Sequence, residues 1–119
     1  MSHKTIISLI ALLAIAGTAM AALVPPSSLT AQFMGKTRNV QLSWAYPTDV
    51  SITGFAIERA YDDFVFTQIA QVSAQDRSFT DIKVRNPHND SIWYRVRAIN
   101  GTDYSDYSNL VSPTVFPAF

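Results

Sequence analysis

The 119-residue chain has room for one domain, and its composition excludes several classes of protein. Nine basic side chains balance nine acidic ones, so no overall electrostatic field draws the chain to a nucleic acid or an anionic membrane. The sequence contains no cysteine, which excludes disulfides, a thiol nucleophile and zinc sites with cysteine ligands.

The first 21 residues have the pattern of a secretory signal peptide. Lys4 supplies a positive charge, residues 6–16 form an apolar run, and Ala19-Met20-Ala21 has the small-x-small form of a cleavage site. The alternative is an uncleaved anchor, because residues 5–24 carry no charge and about 20 such residues can span a bilayer. The Pro25-Pro26 pair favours cleavage, and we predict that it occurs after Ala21.

Cleavage would leave a short, nearly neutral chain outside the cytoplasmic membrane, so we predict a secreted or periplasmic/extracellular location. Eight basic and nine acidic side chains remain, and a domain of this size can be stable without disulfides. We predict a linker at 22–25, a domain at 26–115 and a C-terminal tail at 116–119.

Short alternating segments separated by turn-forming residues predict an all-β domain. Residues 39–45, for example, alternate Val40, Leu42 and Trp44 with polar side chains, the pattern of a half-buried strand. Pro113 cannot donate a hydrogen bond to a neighbouring strand, so the last strand is predicted to lie at a sheet edge. The seven predicted strands are 28–33, 39–45, 54–60, 64–72, 77–82, 92–100 and 107–115.

Six segments occur in an order that resembles the fibronectin type III consensus, in the version common in secreted bacterial proteins. The resemblance covers about residues 26–115, and it depends on all six segments standing in register. The segments are PSSLTA at 26–31, VQLSW at 40–44, GFAIERA at 54–60, FTD at 79–81, YRVRAIN at 94–100 and SDYSN at 105–109.

The resemblance implies an immunoglobulin-like Greek-key sandwich of seven strands, with strands A, B and E facing C, C′, F and G. The family usually has a tyrosine that ties strand F to the preceding loop, and Ile92 occupies what we take to be that position. We therefore expect the loop at 83–91 to be held less tightly. The predicted core residues are Leu42, Trp44, Phe55, Ile57, Tyr94 and Val96.

The sequence supports no catalytic, cofactor or metal site. His88 would be the single histidine after cleavage, and nothing marks a serine for it to activate. Asp62-Asp63 has the character of a solvated turn. Two further clusters of oxygen-bearing side chains lack a recognised calcium-ligand spacing. They are Asp103 with Asp106, and Asn86 with Asn89 and Asp90.

Two neighbouring segments contain the candidate contact residues. The outward side chains of the strand at 92–100 could stack sugars or aromatic side chains. The alternative is an ordinary solvent face, in which Glu58 pairs with Arg95 or Arg97 across the sheet. The loop at 101–107 is rich in tyrosine, which suits recognition. The candidates are Trp93, Arg95, Arg97, Tyr104 and Tyr107.

These patterns favour a non-enzymatic module that binds a protein or carbohydrate ligand outside the membrane. Nucleic acid is not expected as a partner, nor is lasting membrane insertion once the signal peptide is removed. An alternative is a structural subunit of a cell-envelope or extracellular complex that assembles through edge strands or the Phe-containing tail. A third hypothesis, a hydrolase acting through His88, lacks an identifiable nucleophile.

Overall fold

The computed structural model describes residues 22–82, 84, 85 and 91–113. Predictions for the signal peptide, His88 and the C-terminal tail lie outside these residues. No helix long and apolar enough to cross a membrane occurs in the described part of the chain. The strands are β1 (Ser27–Phe33), β2 (Val40–Ala45), β3 (Gly54–Ala60), β4 (Thr67–Ser73), β5 (Ser78–Asp81), β6 (Trp93–Asn100) and β7 (Asp103–Tyr104).

The seven strands form two antiparallel sheets that face each other. One sheet has the order β1-β2-β5 and the other β4-β3-β6-β7. This is the division that the resemblance implies for strands A, B and E against C′, C, F and G. The prediction of an all-β sandwich is confirmed. The edge strand beside β6 is β7, which precedes the segment that contains Pro113.

The core lies between the sheets and contains all six side chains predicted for it. Alternation along each strand places them inward because successive side chains of a strand point to opposite faces. Phe55 is central, with its ring edge-on to Trp44 at 5.4 Å and to Tyr46 at 5.1 Å between centroids. Trp44 is 5% exposed and the other five predicted residues are fully buried: Leu42, Phe55, Ile57, Tyr94 and Val96.

Strand β4 begins three residues later than predicted. The sequence analysis started this strand at residue 64, but Phe64 has φ of 55°, in the left-handed region that breaks an extended strand. The Asp63 carboxylate accepts a hydrogen bond from the Val65 amide at 3.0 Å, which closes a local turn. Turn chemistry therefore overrides the strand propensity of Phe64, Val65 and Phe66.

The segment that follows β7 is not the regular strand predicted at 107–115. Its backbone hydrogen bonds to β6 recur every third residue of the segment but every second residue of β6. A regular antiparallel ladder advances by the same number of residues on both strands. The Ser105 hydroxyl accepts a hydrogen bond from the Ala98 amide at 2.8 Å, and the Ser108 hydroxyl accepts one from the Val96 amide at 3.0 Å. The backbone contacts join Ser105 to Ala98, Ser108 to Val96 and Val111 to Tyr94.

The tie between strand β6 and the chain before it is made by Tyr94. Its hydroxyl donates a hydrogen bond of 2.6 Å to Asp81 Oδ2 at the end of β5, and Arg59 also donates to this carboxylate at 2.7 and 2.8 Å. Burial and this hydrogen bond raise the pKa of Tyr94. This bond reaches strand β5 and not the loop at 83–91, most of which lies outside the described residues, so the expectation of a loosely held loop stays a prediction. Ile92, at the position of the family's tyrosine, is a buried core residue.

The free edges of both sheets carry features that discourage pairing with another chain. The register of β1 is irregular between Ser27 and Thr30, and Ser28 has φ of 54°. The pairing of β4 is also irregular, opposite Ile57 and Glu58. The remaining edge strands are short, with four residues in β5 and two in β7. Bulges and short edge strands are common protections against edge-to-edge aggregation.

Gly54 lies where strands β3 and β4 approach too closely for a side chain. A Cβ atom at this position would be 2.5 Å from the backbone carbonyl oxygen of Val72. We expect Gly54→Ala to lower the free energy of unfolding by about 1–3 kcal/mol because the two backbones must separate. Urea denaturation measures the change. Ser73→Ala, on the opposite residue, should stay within about 0.5 kcal/mol of the parent chain, and equal stabilities of the two variants would contradict the steric argument.

Candidate binding surface

The outer face of the four-stranded sheet brings the five predicted contact residues together. Trp93, Arg95 and Arg97 occupy alternate positions of β6 and point outward. Tyr104 lies in β7, and Tyr107 follows in the segment beside β6. The sheet thus assembles one surface from two segments that the sequence analysis treated separately.

Four of these residues and Phe66 form a cation–π stack along this face. The Arg95 guanidinium carbon lies 4.0 Å from the Phe66 ring centroid and 3.7 Å from that of Tyr107. The guanidinium carbon of Arg97 lies 3.8 Å from the Tyr104 centroid and 4.9 Å from that of Tyr107. Each contact falls within the range of an attractive cation–π interaction, so the stack holds its members in fixed orientations.

Glu58 on β3 lies beneath the stack and pairs with its arginines. Its Oε1 lies 2.8 Å from both Nε and Nη2 of Arg95, and its Oε2 lies 3.9 Å from Nη2 of Arg97. The Tyr107 hydroxyl donates to the same Oε2 at 2.8 Å. Burial and this hydrogen bond raise the pKa of Tyr107. The pairing with Glu58 that the sequence analysis gave as an alternative is therefore present, which assigns a structural role to both arginines.

An exposed apolar cluster lies at the Trp93 end of this face. We call it the aromatic tip, and it consists of Phe64, Val65, Phe66 and Trp93. Phe64 is 52% exposed and Val65 65% exposed. The Phe64 ring lies over Trp93 with centroids 5.2 Å apart and planes inclined by 32°, and 6.5 Å from Phe66. These side chains are supported from below and open to solvent above.

Local hydrogen bonds hold the backbone of the aromatic tip in its left-handed conformation. The Phe64 amide donates to the Tyr61 carbonyl at 3.0 Å, next to the contact between Asp63 and Val65. The Asp62 carboxylate accepts from the Ser91 amide at 2.6 Å. A left-handed conformation costs a residue other than glycine about 1–2 kcal/mol. The turn that exposes Phe64 therefore lowers the stability of the fold by about this amount.

Trp93 is less accessible than the sequence analysis expected. The predicted outward phase is correct, but Phe64 covers one face of the indole and the residue is half-buried. Its Nε1 atom is buried and makes no hydrogen bond with the described residues. Trp93 therefore supports the aromatic tip, while Phe64 and Val65 are its accessible members.

The sequence analysis missed Phe64 and Val65 because it placed both inside a strand. One available signal was the Asp62-Asp63 pair, whose turn chemistry continues into the next residues. A second was Phe-Val-Phe directly after that turn, since three apolar residues beside a solvated loop are unusual unless something covers them.

Among the residues that the structure describes, no three His, Cys, Asp or Glu side chains come together in a group able to hold a metal ion. Ser105 is buried and Ser108 half-buried beside β6. Both hydroxyls accept from backbone amides and donate to neighbouring carbonyls.

No protein-family model matches the chain, and no curated protein sequence matches it at a significant level. Solved structures do resemble it. An Fn3-like protein from Clostridium thermocellum has a TM-score of 0.67 at 18% identity, over 83% of this chain and 98% of that one. The chain has the fibronectin type III fold.

Longer proteins contain the same fold as one part of their length. A fragment of titin matches with a TM-score of 0.65 at 21% identity over 79% of this chain, and a pectate lyase from Pectobacterium carotovorum with 0.60 at 21% over 79%. The chain spans 32% of the titin fragment and 28% of the lyase. At these identities the likeness establishes the fibronectin type III fold alone.

The fibronectin type III fold gives both parts of the outer face a position. Strands β3, β4 and β6 correspond to C, C′ and F, so Phe64, Val65 and Phe66 of the aromatic tip lie in the connection between C and C′, and Trp93 begins F. The cation–π stack lies on F and the segment that follows it. Connections between strands are where such a sandwich presents variable contacts on a rigid scaffold.

Proposed function

We propose that this chain is an exported, non-enzymatic fibronectin type III module that binds a protein partner through the aromatic tip. The observation that carries the proposal is the exposure of Phe64 and Val65 on a backbone held in a costly conformation. Strain of this kind concentrates at functional sites. Exposed apolar groups with a rigid support are the usual anchors of protein interfaces.

The aromatic tip favours an apolar protein segment with basic residues beside it. Phe64 and Val65 offer apolar surface, and the carboxylates nearest to them already accept hydrogen bonds from the Val65 and Ser91 amides. Asp62 and Asp63 flank them directly, and both residues are exposed. A partner that buries an aliphatic or aromatic side chain against Phe64 and places lysine or arginine near the aspartates would match both features.

Export of the module rests on the N-terminal sequence. Residues 1–21 combine a positive charge, an apolar run and a small-x-small site, the three parts of a secretory signal. The absence of cysteine is compatible with an oxidising compartment, since no thiol can form a wrong disulfide there. A bacterial source and a location outside the cytoplasmic membrane belong to this proposal.

Assembly through edge strands receives less support than binding at the aromatic tip. Each free edge is irregular or short, as described above, and strand addition needs a regular edge with unpaired backbone groups. The C-terminal tail, the other element of that alternative, lies outside the described residues. The aromatic tip is exposed, supported and free of such protection.

Selection from a library of displayed peptides tests the proposed site. We expect the purified domain to enrich peptides that combine apolar with basic residues. Phe64→Ser should weaken binding of an enriched peptide at least tenfold, because one fully buried aromatic anchor contributes more than about 1.4 kcal/mol. Isothermal titration calorimetry measures both affinities.

A matched control is available on the other sheet. Ile82 is 63% exposed, follows β5, and lies outside the aromatic tip. Ile82→Ser removes a similar apolar side chain and should leave the affinity within twofold. Equal loss in both variants, or enriched peptides that bind Phe64→Ser as well as the parent chain, would refute the proposed site.

A further inference from the structure

The opposite end of the sandwich contains a cleft that the proposed protein-binding site does not use. It has a volume of about 480 Å³ and lies where β6 turns into β7, next to the segment that precedes β1. Binding sites for small molecules generally have volumes of about 300–1,000 Å³. The lining residues are Ala22, Leu23, Val24, Val50, Asn100, Asp103 and Tyr104.

One part of the cleft is apolar and has a rigid aromatic ring. Leu23, Val24 and Val50 supply aliphatic surface, and Val24 is 39% exposed. Tyr104 is 51% exposed, yet its ring is fixed because the Arg97 guanidinium stacks against it at 3.8 Å. A large aromatic surface that is already ordered loses little entropy when a ligand covers it.

The other part of the cleft offers hydrogen-bonding groups at a fixed turn. Asn100 and Asp103 pair across the turn between β6 and β7, and Gly101 there has φ of 64°. An asparagine amide both donates and accepts, whereas a carboxylate accepts only. Two hydroxyl groups on one edge of a ligand could therefore bind at these two side chains.

We infer that this cleft binds a neutral pyranose sugar. A pyranose has an apolar face of C–H groups that suits the Tyr104 ring and an equatorial rim of hydroxyls that suits Asn100 and Asp103. The Asp103 carboxylate strengthens hydrogen bonds from neutral hydroxyls. The inference adds a second ligand class to the chain and does not depend on the aromatic tip.

The two sites lie far enough apart to be occupied together. The aromatic tip is at the Trp93 end of β6 and the cleft at the Asn100 end. Strand β6 has eight residues, a length of about 25 Å. A chain that holds a protein at one end and a glycan at the other would act as a link between them.

Titration of the isotopically labelled domain with single sugars, followed by amide chemical shifts, tests the inference. The probes are the methyl glycosides of glucose, galactose and mannose, together with N-acetylglucosamine. We expect at least one to shift the amides of residues 22–24, 50 and 100–104. Its dissociation constant should be in the millimolar range, since a ligand of about 12 non-hydrogen atoms rarely binds more tightly.

Three variants test the Tyr104 ring, the Tyr104 hydroxyl and the Asp103 carboxylate in turn. Tyr104→Ala should abolish the shifts, Tyr104→Phe should preserve them within about twofold in affinity, and Asp103→Asn should weaken binding severalfold. Phe64→Ser should leave sugar binding unchanged, so failure of the aromatic tip and failure of the cleft give different results. Absence of a shift with all four sugars would overturn the inference, as would shifts that persist in Tyr104→Ala.

Discussion

Replacing Phe55 with alanine should lower the free energy of unfolding by about 4 kcal/mol, the largest single effect that we expect. Phe55 is fully buried, and its ring contacts the edges or faces of Trp44 and Tyr46. Truncation of a buried phenylalanine loses its transfer free energy and leaves a cavity, at a combined cost of about 3–5 kcal/mol. The total free energy of unfolding of a domain of this size is about 5–15 kcal/mol.

Urea denaturation, monitored by tryptophan fluorescence, measures the effect of Phe55→Ala. Trp44 is 5% exposed and packs on the Phe55 ring, so its emission reports the loss of the core directly. Phe55→Leu is the matched control, since it keeps most of the volume and should cost less than about 1.5 kcal/mol. Similar midpoints for the two variants would mean that the core does not close on this ring.

Replacing Glu58 with alanine should cost about 3 kcal/mol. The change leaves two guanidinium groups and the Tyr107 hydroxyl without their shared acceptor. Loss of one partner of a buried ion pair costs about 3–5 kcal/mol. The lower end applies here because the Arg95 and Arg97 side chains are 27% and 25% exposed, so water screens part of the interaction.

Glu58→Gln separates the loss of charge from the loss of the acceptor. Glutamine keeps one oxygen for Arg95 or Tyr107, so its cost should be about half that of alanine. Urea denaturation at low and at moderate salt gives both values. If Glu58→Ala cost less than about 1 kcal/mol, the cation–π stack would be a loose surface arrangement and its arginines would again be candidates for ligand contact.

Stability and recognition thus use different parts of one outer face. Arg95 and Tyr107 both donate hydrogen bonds to Glu58, and a ligand that took either of them would have to break an existing pair. Arg97 stacks on Tyr104 and Tyr107 and lies 3.9 Å from Glu58, and its Nε makes no hydrogen bond with the described residues. Phe64 and Val65 have unused surface. We therefore propose Phe64 and Val65 as the contact residues, in place of the two arginines that the sequence suggested.

Alternation along the strands predicted an all-β domain and its inward side chains, and the resemblance to fibronectin type III domains implied the two-sheet sandwich. Trp44 and Phe55 could be placed inside because a strand's side chains point to opposite faces in strict turn, whatever the neighbouring strand is. The same alternation placed Trp93 and Arg95 outside. These are local properties of one segment, which a sequence contains in full.

Tertiary structure decided which side chains meet, because contacts across a sheet depend on register and on turns between distant segments. Phe64 left its predicted strand when Asp63 closed a turn, and then found Trp93 on another strand. The hydroxyl tie came from Tyr94 once β5 had brought Asp81 beside it. No pattern within a single segment contains these distances, so the aromatic tip and the cleft emerged only with the folded chain.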